Sequence, residues 1–191
     1  MYSYLYYICV SKQLRGDKKL NKMKTEFNYN DGGRSIAGYK GKTGDCVCRA
    51  IAIATGKPYQ EIYESLAKGN AAQRQGKREG SKAGVKTASR GINTKRKWFA
   101  DYMVELGFVW TPTMFIGQGC KVHLKADELP MGNLVVAVSR HYTTMIDGII
   151  NDTYNPQRGK PPQPITVNGR IEMTVPAIPE RCVYGYYKIT I

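Results

Sequence analysis

The sequence contains no apolar run of roughly 18 or more residues, and this absence excludes a helix that spans a membrane. The apolar residues 4–10 have no basic region before them and no small-residue cleavage site after them, so they are not typical of a secretion signal. Glycine-rich phosphate loops and dinucleotide fingerprints are absent too, which leaves no sign of a cofactor. We therefore expect a cytoplasmic protein that binds no cofactor and no membrane.

Acidic residues are scarce: 15 Asp+Glu stand against 29 Lys+Arg, and the net charge is +14. Almost all of the excess positive charge lies in residues 1–22 and 68–97. With 191 residues, 42% of them hydrophobic, the chain is long enough to bury one core and too short for a large multidomain enzyme. We expect a basic N-terminal tail at 1–22, upstream of a true start at Met23, and a single domain at 23–191.

The five cysteines are an odd number and show no spacing typical of a disulfide framework. In a chain of this kind, that favours reduced thiols over disulfide bonds. A zinc site built from Cys46, Cys48, Cys120 and His123 is an alternative use of these residues. Only Cys120 and His123 have a spacing typical of zinc ligands, so we predict no metal site.

Apolar residues at helical spacing predict three helices. The first covers residues 46–55, with Asp45 as its N-terminal cap and Gly56 at its end. The second covers residues 59–68, and the third residues 94–106. All three helices precede the β-rich part of the chain.

Residues 69–94 are polar, basic and dotted with glycine, which predicts a long loop or flap between the second and third helices. Short β-rich runs follow, and Asp147-Gly148 between two of them predicts a hairpin turn. These runs are residues 108–111, 114–116, 133–138, 141–146, 149–153, 170–175 and 182–191. The order predicts an α+β fold in which N-terminal helices pack on a C-terminal antiparallel β-sheet.

Cys46 lies in the first turn of its helix, where the helix dipole and free backbone N–H groups stabilise a thiolate. It is therefore a candidate nucleophile, and a cysteine nucleophile needs an imidazole as its base. The sequence offers only His123 and His141. We favour His141, which begins a strand after the apolar run 134–138, whereas His123 lies among polar residues.

The hairpin turn predicts which carboxylate orients this histidine. A two-residue turn pairs Thr144 with Asn151, so Asp152 lies diagonally across from His141 on the same face of the sheet. Asn151 faces the other way, and a shift of one residue in register would exchange the two. Each candidate also has a purely structural explanation: a packed thiol for Cys46, a strand-end histidine for His141 and a turn-stabilising role for Asp152.

The segments Gly44-Asp45-Cys46-Val47-Cys48-Arg49-Ala50, 133–141 and 147–152 together resemble the papain-like cysteine peptidase superfamily. The chain is most similar to the small, uncharacterised papain-like proteins of bacteriophages and prophages. The resemblance covers roughly residues 40–156 and implies a papain-like fold with Cys46 as nucleophile, His141 as base and Asp152 as the orienting residue. It implies a cysteine-dependent hydrolase, foremost a peptidase, with a protein or peptide substrate such as a host protein in the host cell cytoplasm.

The chain differs from that superfamily in one respect. Residues 40–45 lack the Gln that papain-like peptidases place before the nucleophile as an oxyanion donor. Thr43, or backbone N–H groups near Asp45 and Cys46, are the candidates for this role here. The missing Gln also favours a second hypothesis, a catalytically weak or inactive papain-like binding module of phage origin.

Such a binding module would engage a host protein or a nucleic acid through a basic surface. An acidic protein would use the same charge as well as a nucleic acid would, and a simple solvated loop is the alternative for these residues. The basic surface comprises Arg74, Lys77, Arg78, Lys82, Lys86, Arg90, Lys95, Arg96 and Lys97.

Overall fold

A computed structural model describes residues 25–41, 43–72, 87–157, 164–167, 170–173 and 180–190. The helices in these ranges are α1 (Cys46–Thr55), α2 (Tyr59–Ala71) and α3 (Lys97–Glu105), with a 3-10 helix at Ala88–Arg90. The strands are β1 (Glu26–Tyr29), β2 (Phe108–Pro112), β3 (Asn133–Val138), β4 (His141–Ile146), β5 (Ile149–Asp152), β6 (Pro164–Val167), β7 (Arg170–Met173) and β8 (Val183–Ile189). None of the helices in the described ranges has the length and apolar character needed to cross a membrane.

Six strands form one mixed sheet in the order β1-β5-β4-β3-β8-β2, and β6 pairs with β7 in a separate two-stranded sheet. The α+β class is confirmed, but the sheet is not purely antiparallel as predicted. β1 runs parallel to β5, with Glu26 opposite Ile149 and Tyr29 opposite Asp152. This four-residue strand precedes all the helices, and each of its residues is exposed. It is too short, and lacks the buried face that alternating apolar residues would indicate, to be predicted from the sequence. The strand predicted at 114–116 is instead an exposed loop.

The core lies on both faces of the sheet. α1 is apolar over most of its surface and packs on β3 and β4, as expected of a helix buried on nearly all sides. The Thr144 hydroxyl of β4 donates a 2.8 Å hydrogen bond to the backbone oxygen of Ala50, which fixes α1 against the sheet. On the other face, Val136 and Met145 belong to a second apolar cluster. This packing places the first residue of α1 beside the start of β4.

The predicted loop at 69–94 is shorter than expected at both ends. α2 continues to Ala71, and residues 88–90 form the 3-10 helix. The backbone oxygen of Ser89 accepts hydrogen bonds from the Gly44 N–H at 2.9 Å and from the Thr43 hydroxyl at 2.7 Å. The 3-10 helix is therefore attached to the segment that leads into α1. Residues 73–86, the middle of the predicted loop, lie outside the described residues.

Gly69 explains why the end of α2 was mistaken for a loop. A Cβ atom at this position would lie 2.4 Å from the ring of Trp98, far inside van der Waals contact. Glycine here permits close packing of α2 against α3 and does not interrupt the helix. The same residue type that signals a loop in a sequence thus marks a helix contact in the structure.

Cys120 and Cys182 form a disulfide, with their Cα atoms 5.8 Å apart, so the prediction that the cysteines are reduced thiols is wrong for this pair. The bond forms where residues 122–124 run beside residues 181–183 and exchange backbone hydrogen bonds with them. The two cysteines are 62 residues apart, so no local sequence pattern indicates that they pair. Because the disulfide uses the Cys120 sulfur, the alternative zinc site is excluded as well.

Candidate active site

Cys46 is the first residue of α1, and the N–H groups of this first turn have no partner within the helix. Asp45 occupies the N-cap position, but its side chain makes no capping hydrogen bond, contrary to the prediction. Its buried carboxylate instead accepts 2.8 Å hydrogen bonds from Arg34 and Arg49 and a 2.6 Å hydrogen bond from the Tyr59 hydroxyl. Two guanidinium groups therefore neutralise the carboxylate beside the thiol.

The Cys46 thiol is partly buried and lies against the start of β4. His141 and Tyr142, the first two residues of β4, are its polar neighbours there. Burial alone would raise the pKa of the thiol, but the hydrogen-bonding groups of His141 and Tyr142, with the charges of His141 and Arg49, hold the pKa below its ordinary value. The environment of Cys46 therefore favours the thiolate.

His141, the first residue of β4, connects Cys46 with Asp152. Its Nε2 lies 2.7 Å from Oδ2 of Asp152, and both side chains are buried. Nδ1 is then the ring nitrogen that remains for the thiol. Burial alone would lower the pKa of the imidazole, but the hydrogen bonds and charges of Asp152 and Cys46 raise it to about 9. The lowered pKa of the thiol and the raised pKa of the imidazole both favour the proton on His141.

Asp152 reaches His141 because of the hairpin register. Asp147 and Gly148 form the turn, with φ of 47° and 82°, and Thr144 pairs with Asn151, which is the predicted register. The second oxygen of Asp152 accepts the backbone N–H of Thr153 at 2.7 Å, so the carboxylate is held in place. Asn151 accepts a 2.9 Å hydrogen bond from Asn28 of β1 and does not approach the imidazole.

No family model, curated protein or solved structure matches the chain. The function is therefore inferred from the side chains themselves. A thiol beside an imidazole that is hydrogen-bonded to a carboxylate is an arrangement capable of nucleophilic catalysis.

Sequence reasoning missed several residues that support this arrangement. The Tyr154 ring lies 5.1 Å from the His141 ring, measured between centroids, and covers one side of the imidazole. Arg34 and Tyr59 hold Asp45 from 11 and 14 residues away, outside α1, and helical spacing does not reveal these contacts. Arg49 had a detectable signal, since it lies four residues after Asp45 on the same helical face.

Of the predicted oxyanion donors, the Thr43 hydroxyl is already engaged, because it donates to the backbone oxygen of Ser89. The other predicted donors are backbone N–H groups near Asp45 and Cys46, and the Asp45 carboxylate itself only accepts hydrogen bonds. Backbone N–H groups at the start of α1, beginning with that of Cys46, are then the remaining candidates for this role. His123 takes no part in the site, because its Nδ1 lies 3.0 Å from Oε2 of Glu128.

A cleft of about 670 Å³ reaches Cys46 and His141. Cys48, two residues on, is fully buried, and burial raises the pKa of its thiol to about 12, so it is inert by comparison. Of the predicted basic surface, Arg74, Lys77, Arg78, Lys82 and Lys86 lie outside the described residues. The remaining members are all exposed, namely Arg90, Lys95, Arg96 and Lys97. Among these, Lys95 lines the cleft.

Proposed function

We propose that the chain is a cysteine-dependent hydrolase, foremost a peptidase, in which Cys46 is the nucleophile, His141 the base and Asp152 the residue that orients His141. The observation that carries this proposal is the buried 2.7 Å hydrogen bond between His141 and Asp152, with Cys46 lining the same cleft as His141. The lowered pKa of the thiol and the raised pKa of the imidazole support a thiolate–imidazolium pair. The order of a helical cysteine, a strand histidine and an aspartate on the next strand supports a papain-like fold.

The proposed reaction uses this ion pair directly. The Cys46 thiolate attacks the carbonyl carbon of an amide, and the electron pair of the carbonyl bond moves to its oxygen, which N–H groups of the first turn of α1 stabilise. Collapse of the intermediate breaks the C–N bond, and His141 gives its proton to the leaving amine. Water then attacks the thioester, loses a proton to His141 and releases a carboxylic acid with the thiolate restored.

Cleavage of a mixture of capped peptides, followed by mass spectrometry, tests the proposal. Cys46→Ala removes the nucleophile, and we expect the rate to fall by at least about 1,000-fold. Cys48→Ala is the matched control, because it also removes a thiol, and Cys48 lies two residues after Cys46 and is fully buried. Cleavage that survives Cys46→Ala in the folded protein would contradict the proposal.

The second candidate function is a binding module of the same fold, directed at an acidic protein or a nucleic acid. It is favoured by one observation: the Thr43 hydroxyl donates to Ser89 and is not available to an oxyanion. Such binding would weaken steeply as ionic strength rises and would persist in Cys46→Ala. Binding that does not change with ionic strength, or that requires the Cys46 thiol, would contradict the binding-module hypothesis.

A further inference from the structure

The cleft beside Cys46 has an unusual combination of aromatic and cationic side chains. Trp110, Tyr184 and Tyr187 line it, together with Lys95 and Arg140. Within the part of the chain that the structure describes, no Asp or Glu lines this cleft. Its volume of about 670 Å³ lies in the range of sites that enclose a small ligand or a short chain segment.

Arg140 occupies a backbone conformation that favours glycine. Its φ is 56°, and it lies in the two-residue turn that joins Val138 of β3 to His141 of β4. A non-glycine residue there costs about 1 kcal/mol. Asp147 has a similar φ but accepts a hydrogen bond from the Gly132 N–H at 2.9 Å, which accounts for its presence.

No comparable intramolecular partner accounts for Arg140. Its exposed side chain has no ion pair or hydrogen bond with any residue in the described ranges. An arginine without a described partner therefore precedes the histidine of the site and lines its cleft, at a position where glycine would be the less strained choice. Its planar donors suit a carboxylate, which they bind in bidentate fashion.

The aromatic side of the cleft is also built by a specific glycine. A Cβ atom at Gly185 would lie 2.3 Å from the Trp110 ring and 2.8 Å from the backbone oxygen of Thr111. Gly185 therefore creates the space in which Trp110 lies, with its ring centroid 4.6 Å from that of Tyr187. Trp110 and Tyr184 remain partly exposed, which leaves a surface for a large apolar side chain.

We infer that the cleft selects an extended polypeptide segment with a carboxylate near the carbonyl that Cys46 attacks and a large apolar side chain against Trp110 and Tyr184. This inference rests on the proposed hydrolase function. Arg140 and Lys95 bind the carboxylate, and their charge complements an acidic segment. A polypeptide is favoured over a nucleic acid because the proposed reaction cleaves a backbone amide bond, and the backbone of a nucleic acid contains none.

Alkylation of Cys46 by an anionic and by a neutral reagent measures how strongly Arg140 and Lys95 attract an anion to the thiol. The rate ratio of iodoacetate to iodoacetamide, followed at Cys46 by mass spectrometry, falls about fivefold in Arg140→Gln and in Lys95→Gln. Lys57→Gln is the control, because the ten residues of α1 separate Lys57 from Cys46 by about 15 Å. A ratio that stays unchanged in both cleft variants overturns the inference.

Peptide binding to Cys46→Ala tests the selectivity without requiring any reaction. The probes are fluorescent hexapeptides capped at both ends that contain one Phe and either Glu or Gln. We expect the Glu peptides to bind about tenfold more tightly, and Arg140→Gln to abolish the difference. Equal affinity for capped Glu peptides, capped Gln peptides and Gln peptides with a free C-terminus overturns the inference, as does preferential binding of a single-stranded oligonucleotide.

A third set of peptides separates the two sources of a carboxylate. These carry Phe and Gln with a free C-terminus, and their preferential binding would assign Arg140 to a terminal carboxylate in place of a side chain, within the same inference. If wild-type protein cleaves no peptide while the Glu preference persists in Cys46→Ala, the hydrolase proposal fails and the selectivity stands. Cleavage without preference for acidic peptides overturns the selectivity alone.

Discussion

At the residue scale, Asp152 determines how firmly His141 holds its proton. The carboxylate accepts a buried 2.7 Å hydrogen bond from the ring, and its presence is a main reason for an imidazole pKa of about 9. A histidine with a raised pKa is protonated at pH 7 and loses its proton only as the pH passes through that value. We therefore expect the proposed ion pair to persist across the neutral range.

Asp152→Asn removes the charge and keeps the shape of the side chain. We expect the pKa of His141 to fall from about 9 toward its ordinary value of 6.5. Ring-proton NMR titration follows this directly, because the sequence has only 2 histidines and His123 serves as the internal reference. An unchanged pKa of His141 in Asp152→Asn would show that Asp152 does not stabilise the protonated imidazole.

Asp45 has a structural task that is separate from the reaction. Its buried carboxylate holds Arg34, Arg49 and the Tyr59 hydroxyl, so Asp45→Asn leaves two guanidinium groups without a counter-charge. We expect a loss of about 3–5 kcal/mol in the free energy of unfolding, measured with urea. Asp101→Asn, which breaks only an exposed pair with Lys97, is the control and should cost about 0.3–0.5 kcal/mol.

At the scale of elements, the contact between α2 and α3 depends on one glycine. Replacing a glycine inside a helix by alanine normally stabilises the helix by about 1 kcal/mol. In Gly69→Ala, however, the new Cβ would lie 2.4 Å from the Trp98 ring and collide with it. We expect a net destabilisation of about 1–3 kcal/mol in thermal or urea unfolding. In a Trp98→Ala background the same change should become stabilising, and a destabilisation there would refute the packing explanation.

Local patterns predicted the parts of the site that local chemistry determines. α1 begins at Cys46 and ends before Gly56 as predicted, and the Asp147-Gly148 turn sets the register that brings Asp152 to His141. These features depend on helical periodicity and turn geometry, which span only a few residues. The roles of these residues in a reaction stay predictions.

Features that depend on distant contacts were not predictable in this way. The side chain of Asp45 makes no capping hydrogen bond because it accepts hydrogen bonds from Tyr59 and Arg34, which lie outside α1. Gly69 was interpreted as a loop residue because the neighbouring ring of Trp98 cannot be seen in the sequence. The parallel pairing of β1 with β5 likewise joins residues from opposite parts of the chain.

At the scale of the whole molecule, the disulfide between Cys120 and Cys182 ties the loop after β2 to the start of β8. Closure of a segment whose ends are 62 residues apart stabilises the fold by about 4 kcal/mol, chiefly through the entropy of the unfolded chain. We expect Cys120→Ser and Cys182→Ser to lower the free energy of unfolding equally, and the double variant to lower it no further. Additive losses in the double variant would contradict a bond between the two residues.

The central claim concerns a single thiol, and its reactivity is the most direct test. Alkylation of Cys46 by iodoacetamide is followed from about pH 4 to 9 by site-resolved mass spectrometry, in the wild type and in His141→Ala, with Cys48 as the inert comparison. We predict a midpoint below the ordinary value of about 8.5 in the wild type, and a rise to that value or above it in His141→Ala, because burial alone raises the pKa of the thiol. An ordinary midpoint in the wild type, unchanged by His141→Ala, would contradict the thiolate–imidazolium pair.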